Sequence, residues 1–413
     1  MKAKLLIIGL VWPEPKSSAA GSRMMQLISL FKKMEYEITF VSNASMSDNA
    51  EDLKELGIIT SSIELNNSSF DTYIKSIQPD LVLFDRFITE EQYGWRVSEH
   101  CPEAIKILDT EDLHFLRRAR QTSLKSNEVE SPNNLFNDTA KRELASIYRC
   151  DLSLIISDYE MRLLTDTFGV NASLLFYLPF LFDDLNDSII SKHQHFDERF
   201  HFMTIGNFLH EPNYDALKYL KTSLWPQIKK KLPNAELHNY GAYPSQKVQQ
   251  LHNENEGFFI KGFVHNVDEV MQSSKVLLAP LRFGAGLKGK LFDAMRNGLP
   301  FVSTTVGIEG IIDDSQQNCG CDDPNDFIDE AVTLYTNRSH WQSRQKLGYN
   351  ILRTKFPKDR YELSFSERLK KLKKDYKAER QQNYIGQLLQ YHSFQSTKYM
   401  SKWIALKNQQ SSK

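Results

Sequence analysis

Short apolar runs alternate with stretches of helical periodicity through the first half of the chain. Runs at 4–11, 38–42, 81–84, 105–109, 152–157 and 174–178 read as buried strands. Between the first two, Met24, Leu27, Ile28, Phe31 and Met34 fall on one helical stripe, and 70–77, 90–99 and 159–168 are further predicted helices. Strand and helix in alternation imply right-handed crossovers over an open parallel sheet. Residues 183–199 are polar and lose the pattern. It restarts at 201–205, a run ending at Gly206, and continues with a helical stretch at 213–230 and runs at 236–240, 258–261, 275–280 and 300–304. The expected fold class is α/β: two facing Rossmann-like, doubly wound parallel-sheet domains with a cleft between them, because such sheets bind ligands at the carboxyl ends of their strands. The expected division is 1–185, a linker at 186–199, 200–355, and a helical C-terminal tail at 356–413.

In that tail, residues 369–374 are rich in lysine. Tyr384, Leu388, Leu389, Tyr399, Met400, Trp403 and Ile404 are too many apolar side chains for a free end, so docked helices are expected. The lysines read as a solvated helix face or as a peripheral contact with a membrane surface or lipid-linked acceptor.

A chain of 413 residues exceeds what one ordinary core uses, in keeping with two domains. With 51 Lys plus Arg against 52 Asp plus Glu the formal charge is -1, which gives no sign of a nucleic-acid partner. The four cysteines, Cys101, Cys150, Cys319 and Cys321, form no disulfide framework and fit a reducing, cytoplasmic location. Cys319 and Cys321 would share one face of a strand, but no His or third Cys stands beside them to complete a metal site. Two lysines before an apolar run and a small-residue stretch at 17–21 imitate a signal peptide; a buried first strand followed by a turn and helix is the preferred reading. No run reaches the roughly 18 apolar residues that span a bilayer.

The densest chemical signal is 280–311, PLRFGAGLKGKLFDAMRNGLPFVSTTVGIEGI, where a strand runs into a glycine turn and then a helix. Unpaired N–H groups and the macrodipole at a helix start favour a phosphate. Gly284 and Gly286 would let backbone approach it, beside Leu287, and Lys288 and Lys290 would add charge as a diphosphate leaves. With the helix opening at Gly286, Lys290 and Asp293 share one face, and Asp293 lies about 10 Å along the axis, near a ribose. The alternative is a simple tight turn with an exposed Lys290–Asp293 pair.

This stretch resembles the nucleotide-sugar segment of the retaining glycosyltransferases of family 4, within the large group 1 glycosyltransferase family. Gly284, Gly286, Lys290, Asp293, Ala294, Met295, Gly298, Pro300, Ser303, Thr304, Gly307, Glu309 and Gly310 carry the similarity. FMTIGNFLHEPN at 202–213, the run 237–241 and Gly262-Phe263-Val264 extend it, so that it covers most of residues 1–355. The resemblance implies the GT-B fold and transfer of a sugar from a nucleotide diphosphate sugar to a hydroxyl on a glycan, lipid-linked or protein acceptor, with retention. No cofactor and no metal ion are expected, because helix dipole, backbone amides and lysine would stabilise the departing diphosphate and no Asp-x-Asp carboxylate pair stands in a cleft position.

Two departures stand out. The family commonly has two Glu residues here, the first meeting the donor sugar and the second the ribose; this chain has Ala285 and Asp293. Many members also clasp the diphosphate with an Arg after the first strand of this domain and a nearby Lys, where this chain offers Gly206, Asn207 and His210; Lys288 and Lys290 are the candidate substitutes. Weakened or lost activity follows as an alternative: a non-catalytic GT-B-like partner subunit or glycan-binding module. A sugar-nucleotide epimerase is a further alternative.

In the first half, PEPKSSAAGSR at 13–23 resembles the family's glycine loop facing the sugar, with Gly21 as its nearest backbone and Arg23 a candidate phosphate or acceptor contact. The alternatives are a turn glycine and an exposed Arg. LDTEDLHFLRRAR at 108–120 ends a strand with dense polar residues: His114 is a candidate donor to a sugar hydroxyl, and Asp112 a candidate to orient the acceptor hydroxyl. The competing reading is a helix capped by Asp109 or Thr110. Ser157 and Glu160 match the family's Ser-x-x-Glu but also make a capping box, the preferred reading.

Overall fold

The computed structural model describes residues 2–126, 132–312 and 319–411. The first sheet contains β1 (Lys4–Gly9), β2 (Glu37–Ser42), β3 (Ile59–Ser62), β4 (Leu81–Asp85), β5 (Ile105–Asp109), β6 (Leu152–Ile155) and β7 (Leu175–Tyr177), in the order β3-β2-β1-β4-β5-β6-β7. The second contains β8 (Phe200–Ile205), β9 (Leu237–Tyr240), β10 (Phe258–Gly262), β11 (Ser274–Ala279) and β12 (Phe301–Ser303), in the order β10-β9-β8-β11-β12. Every strand pairing in both sheets is parallel.

Burial on both faces explains the unbroken apolar runs. In β1, Leu5 and Ile7 pack into the core beneath the helix Ala19–Lys33, while Leu6 and Ile8 pack into the core on the other face. The N-terminal apolar run is therefore an interior strand of a seven-stranded sheet, between β2 and β4. The edge strand β3, sequence ITSS, escaped prediction because it is largely solvated and carries no apolar alternation.

The predicted linker ends in structure: Arg199 is fully buried, and its guanidinium donates to the carbonyls of Met271, Ser274 and Asn297 at 3.0, 3.3 and 2.8 Å. The tail is two long helices, Lys358–Gln382 and Tyr384–Ser411. The first returns to the N-terminal domain, where Phe365, Leu369 and Leu372 join the core beside Leu27, Phe31 and Ile38.

Candidate active-site cleft

Residues at the carboxyl ends of β1, β4, β5, β6, β8, β9, β10 and β11 line a cleft of about 1230 Å³, so that both sheets contribute to it. On the C-terminal side, β11 leads through 280–288 into the helix Gly289–Arg296, with Lys288 at the N-cap position and its side chain making no capping bond. The predicted helix start at Gly286 is thus three residues early, and the axial distance to Asp293 is correspondingly shorter. Lys290 and Asp293 do face the cleft together. They do not pair with each other: Lys290 Nζ donates to Asn213 Oδ1 at 2.8 Å, and Asp293 lies 3.8 Å from Arg296. Burial, reinforced by Lys288, depresses the Lys290 ammonium to about 7. Burial against the cleft wall raises the Asp293 carboxyl, opposed by Arg296, although 41% of the side chain stays open to the cleft.

Lys288 is turned inward. Its Nζ donates to the carbonyls of Ala285 and Gly286 at 3.1 and 2.7 Å, so its charge organises the turn that was expected to hold the phosphate. Burial lowers it to about 8 despite Glu309 nearby. Gly286 is not a free phosphate donor either: its N–H donates to Glu160 Oε1 at 2.8 Å. With φ at +64° and an imaginary Cβ only 2.8 Å from Asp112 Cβ, position 286 accepts only glycine. Gly284 and Leu287 line the cleft, and the Gly284 carbonyl accepts from Arg120 at 3.0 Å.

The Gly206 and Asn207 pair ends β8 at the cleft wall. Asn207 Nδ2 donates across to Ser17 Oγ at 3.3 Å, and its carbonyl accepts from Asn213, which also holds Lys290. His210 lines the same wall, lowered to about 4 by burial and by Arg117.

On the N-terminal side Gly21 lies inside the first turn of Ala19–Lys33, where its N–H donates to the Ser18 cap at 3.0 Å. It is glycine because the Glu14 backbone crosses within 2.3 Å of where a Cβ would stand. Arg23 contacts no ligand surface: it is buried, bonded to Asp109 Oδ1 at 3.0 Å and to the carbonyls of Leu178 and Pro179. Asp112 and His114 both line the cleft, 3.3 Å apart, and Arg117 also pairs with Asp112. Burial opposes the charge on Asp112, but Arg117 and His114 outweigh it and hold the carboxyl well below its usual range. Burial lowers His114 to about 4, so at neutral pH it is an uncharged imidazole.

Asp109 and Thr110 do not cap the helix His114–Ser126. Buried Glu143 accepts the N–H groups of His114 and Phe115 at 3.2 and 3.1 Å. Ser157 makes no side-chain cap, and Glu160 instead joins the Leu113 and Gly286 N–H groups of opposite domains at 3.0 and 2.8 Å. Burial and Asp112 push Glu160 up to about 7.

Several cleft residues were given no role from the sequence, although Glu111 and Arg120 lie in the polar stretch 108–120. Arg86 and Glu111 follow the paired ends of β4 and β5, and both hold left-handed backbone, with φ of 70° and 62°. Such conformations in non-glycine residues are strained and concentrate where a fold must aim a side chain. Burial and Asp109 raise the Glu111 carboxyl well above its usual range. Tyr243 reaches over from the other domain and donates to both oxygens of Glu14 at 3.0 Å. Arg120 pairs with Glu309 through two bonds of 2.9 and 2.6 Å, also between domains. Among the described residues, one group has metal-ligand spacing, His201, Glu236 and His238, and it lies at the amino ends of β8 and β9, the edge opposite the cleft. Cys319 is occupied differently, accepting from Arg344 Nη1 at 2.6 Å.

Residues 199–337 match the family model described as glycosyl transferases group 1. Solved structures of similar fold include TarM from S. aureus, 10% identical with a TM-score of 0.67 over 90% of this chain and 100% of that one. The pneumococcal O-GlcNAc transferase GtfA is 12% identical with a TM-score of 0.66 over 90% and 99%. HepE from Anabaena is 13% identical with a TM-score of 0.65 over 89% and 99%. No curated protein matches the sequence. The fold is GT-B, and within it residues 199–337 carry the match to the group 1 glycosyl transferases.

Proposed function

We propose that the protein transfers a sugar from a nucleoside diphosphate donor to an acceptor hydroxyl with retention, and that Lys290 and Asp293 hold the donor. The observation that carries this is the shared aspect of these two residues on the cleft side of Gly289–Arg296, opposite Glu111, Asp112 and His114. Asp293, open to the cleft, accepts ribose hydroxyls. Lys290 meets the diphosphate as its charge grows in the transition state, with the amino end of the helix. Neutral His114 is a hydrogen-bond partner for a sugar hydroxyl, positioned by Asp112 and by a T-shaped contact with Phe87 at 5.4 Å between ring centres. A uridine donor is the first to test, since HepE was solved with UDP-glucose and GtfA with UDP and GlcNAc. Charge on the leaving group is met by side chains and backbone, so no metal ion is required; turnover that collapses on chelation would refute this.

The decisive experiment is a panel of UDP-, GDP-, ADP- and TDP-sugars with mass spectrometry of the products. A second reading, a GT-B-like partner subunit without turnover, has specific support in Ala285 and in the Glu160 carboxylate seated on the Gly286 N–H. No calorimetric heat with any donor, while a partner co-purifies, would favour it. Conversion of donor alone into another sugar nucleotide would instead identify an epimerase.

A further inference from the structure

The helix Tyr384–Ser411 has two opposite faces. One is docked: Phe394 and Ser401 are buried, Arg96 Nη2 donates to Ser401 Oγ at 3.0 Å, and the Arg149 guanidinium sits 5.1 Å over the Phe394 ring. Gln390 and Asn383 donate to the Arg149 and Tyr148 carbonyls at 3.0 and 2.7 Å. The other face is bare. Tyr384, Leu388, Tyr391, Tyr399, Trp403 and Leu406 are 43–68% exposed. At about 100° per residue they project within an arc of about 120°, away from the docked face, along about 33 Å of axis.

The charge on this helix has one sign. Residues 384–411 contain no Asp or Glu; Lys398 is paired with Glu99 of the docking helix at 2.7 Å, which leaves Lys402 and Lys407 exposed, and exposed Lys370, Lys371 and Lys374 lie on the preceding helix. Tyrosine and tryptophan beside lysine is the mixture that settles at a bilayer interface, where rings sit among headgroups and ammonium groups meet anionic lipid. Pairing with a second copy would set lysines against lysines with no carboxylate on the helix to answer them. Spanning is excluded for the described residues, among which no helix is long and apolar enough to cross a membrane.

We propose that this face of Tyr384–Ser411 lies on an anionic membrane surface and holds the protein there peripherally. The attachment does not depend on the transferase reading, since the helix docks on the outside of the N-terminal domain, through Arg86–His100 and Asp138–Arg149, and a chain without turnover would bind equally.

The test uses the full chain and vesicles of phosphatidylcholine with or without phosphatidylglycerol. Trp12, Trp95, Trp225 and Trp341 are at most 4% exposed, so a blue shift and loss of acrylamide quenching report on Trp403, at 61%. Binding to the anionic vesicles with that shift is expected, weakened by salt. Co-sedimentation of the combined Tyr399→Ser, Trp403→Ser and Leu406→Ser variant should fall about tenfold or more, and Lys402→Glu with Lys407→Glu should weaken it at low salt. These side chains are exposed, so unchanged circular dichroism and melting are expected of both variants. Wild-type protein that ignores anionic vesicles, or variants that bind them as well as wild type, would overturn the proposal. So would a dimer in sedimentation equilibrium that the serine variant dissolves while wild type leaves vesicles untouched.

Discussion

At the scale of single residues, the cleft is governed by charges held away from their solution values. Lys290 stands near 7 when free, so at pH 8 it is mostly neutral, and a diphosphate beside it favours the ammonium form. Donor binding should therefore take up close to one proton at pH 8, and affinity should fall as pH rises through the range above 7. Calorimetry in buffers of different ionisation enthalpy reads the uptake directly, and Lys290→Met should abolish it. Lys290→Ala should lower kcat about 100-fold with a smaller effect on donor Kd. Asp293→Ala loses hydrogen bonds to a charged acceptor, about 1.5–3 kcal/mol, and should weaken donor binding by about tenfold or more; unchanged kinetics in both variants would remove the site assignment. Position 285 makes the opposite case. Ala285 stands at the cleft wall, 8% exposed, and belongs to the core cluster that also holds Leu113 and Leu116, so Ala285→Glu would press a carboxylate against that core. The expected outcome is a lowered Tm and no gain in turnover, although the substitution restores the residue common in the family.

At the scale of elements, the sequence was most informative where geometry is local. Two-sided burial writes a parallel strand as an apolar run, which is why β1, β4, β5 and β11 were legible and solvated β3 was not. The cleft-facing side of Gly289–Arg296 was legible too, because Lys290 and Asp293 keep their relative phase wherever the helix begins. What sequence alone could not supply was any partner far along the chain. Gly286 looked like a phosphate donor, yet its N–H is taken by a carboxylate 126 positions away. Arg23 looked like a ligand contact, yet it is spent on Asp109 and two carbonyls in the N-terminal core. Glu143 capping a helix that starts 29 residues earlier belongs to the same class of fact. Arg86 was invisible, and Glu111 stood out only as part of the polar stretch 108–120, because left-handed backbone in a non-glycine residue leaves no mark in sequence.

At the scale of the whole molecule, the two sheets are joined by more than the linker. The helix Lys358–Gln382 leaves the C-terminal domain and completes the N-terminal core, so Phe365→Ala should cost about 3–5 kcal/mol of stability although it lies far from the cleft in sequence. Urea denaturation checks this: the loss should appear in the transition that reports the N-terminal domain.

Across the cleft, Arg120 grips Glu309 and the Gly284 carbonyl, Glu160 grips Gly286, and Tyr243 grips Glu14. Two of these three ties end on the glycine turn next to the proposed diphosphate site, so the turn is shaped by the opposite domain as much as by its own. Arg120 and Glu309 are 5% and 13% exposed, and cutting such a pair leaves a carboxylate with little water to replace the lost guanidinium. Arg120→Ala should therefore cost about 3–5 kcal/mol in interdomain stability. Arg120→Lys should recover little, because an ammonium cannot make the paired bonds that hold both Glu309 oxygens. The functional consequence follows from water: a turn no longer clamped by the N-terminal domain leaves the donor of the proposed reaction exposed, so the ratio of donor hydrolysis to sugar transfer should rise in both variants. A variant that melts as wild type does and transfers with the wild-type ratio would show that the tie is incidental, and that closure of the cleft is governed elsewhere.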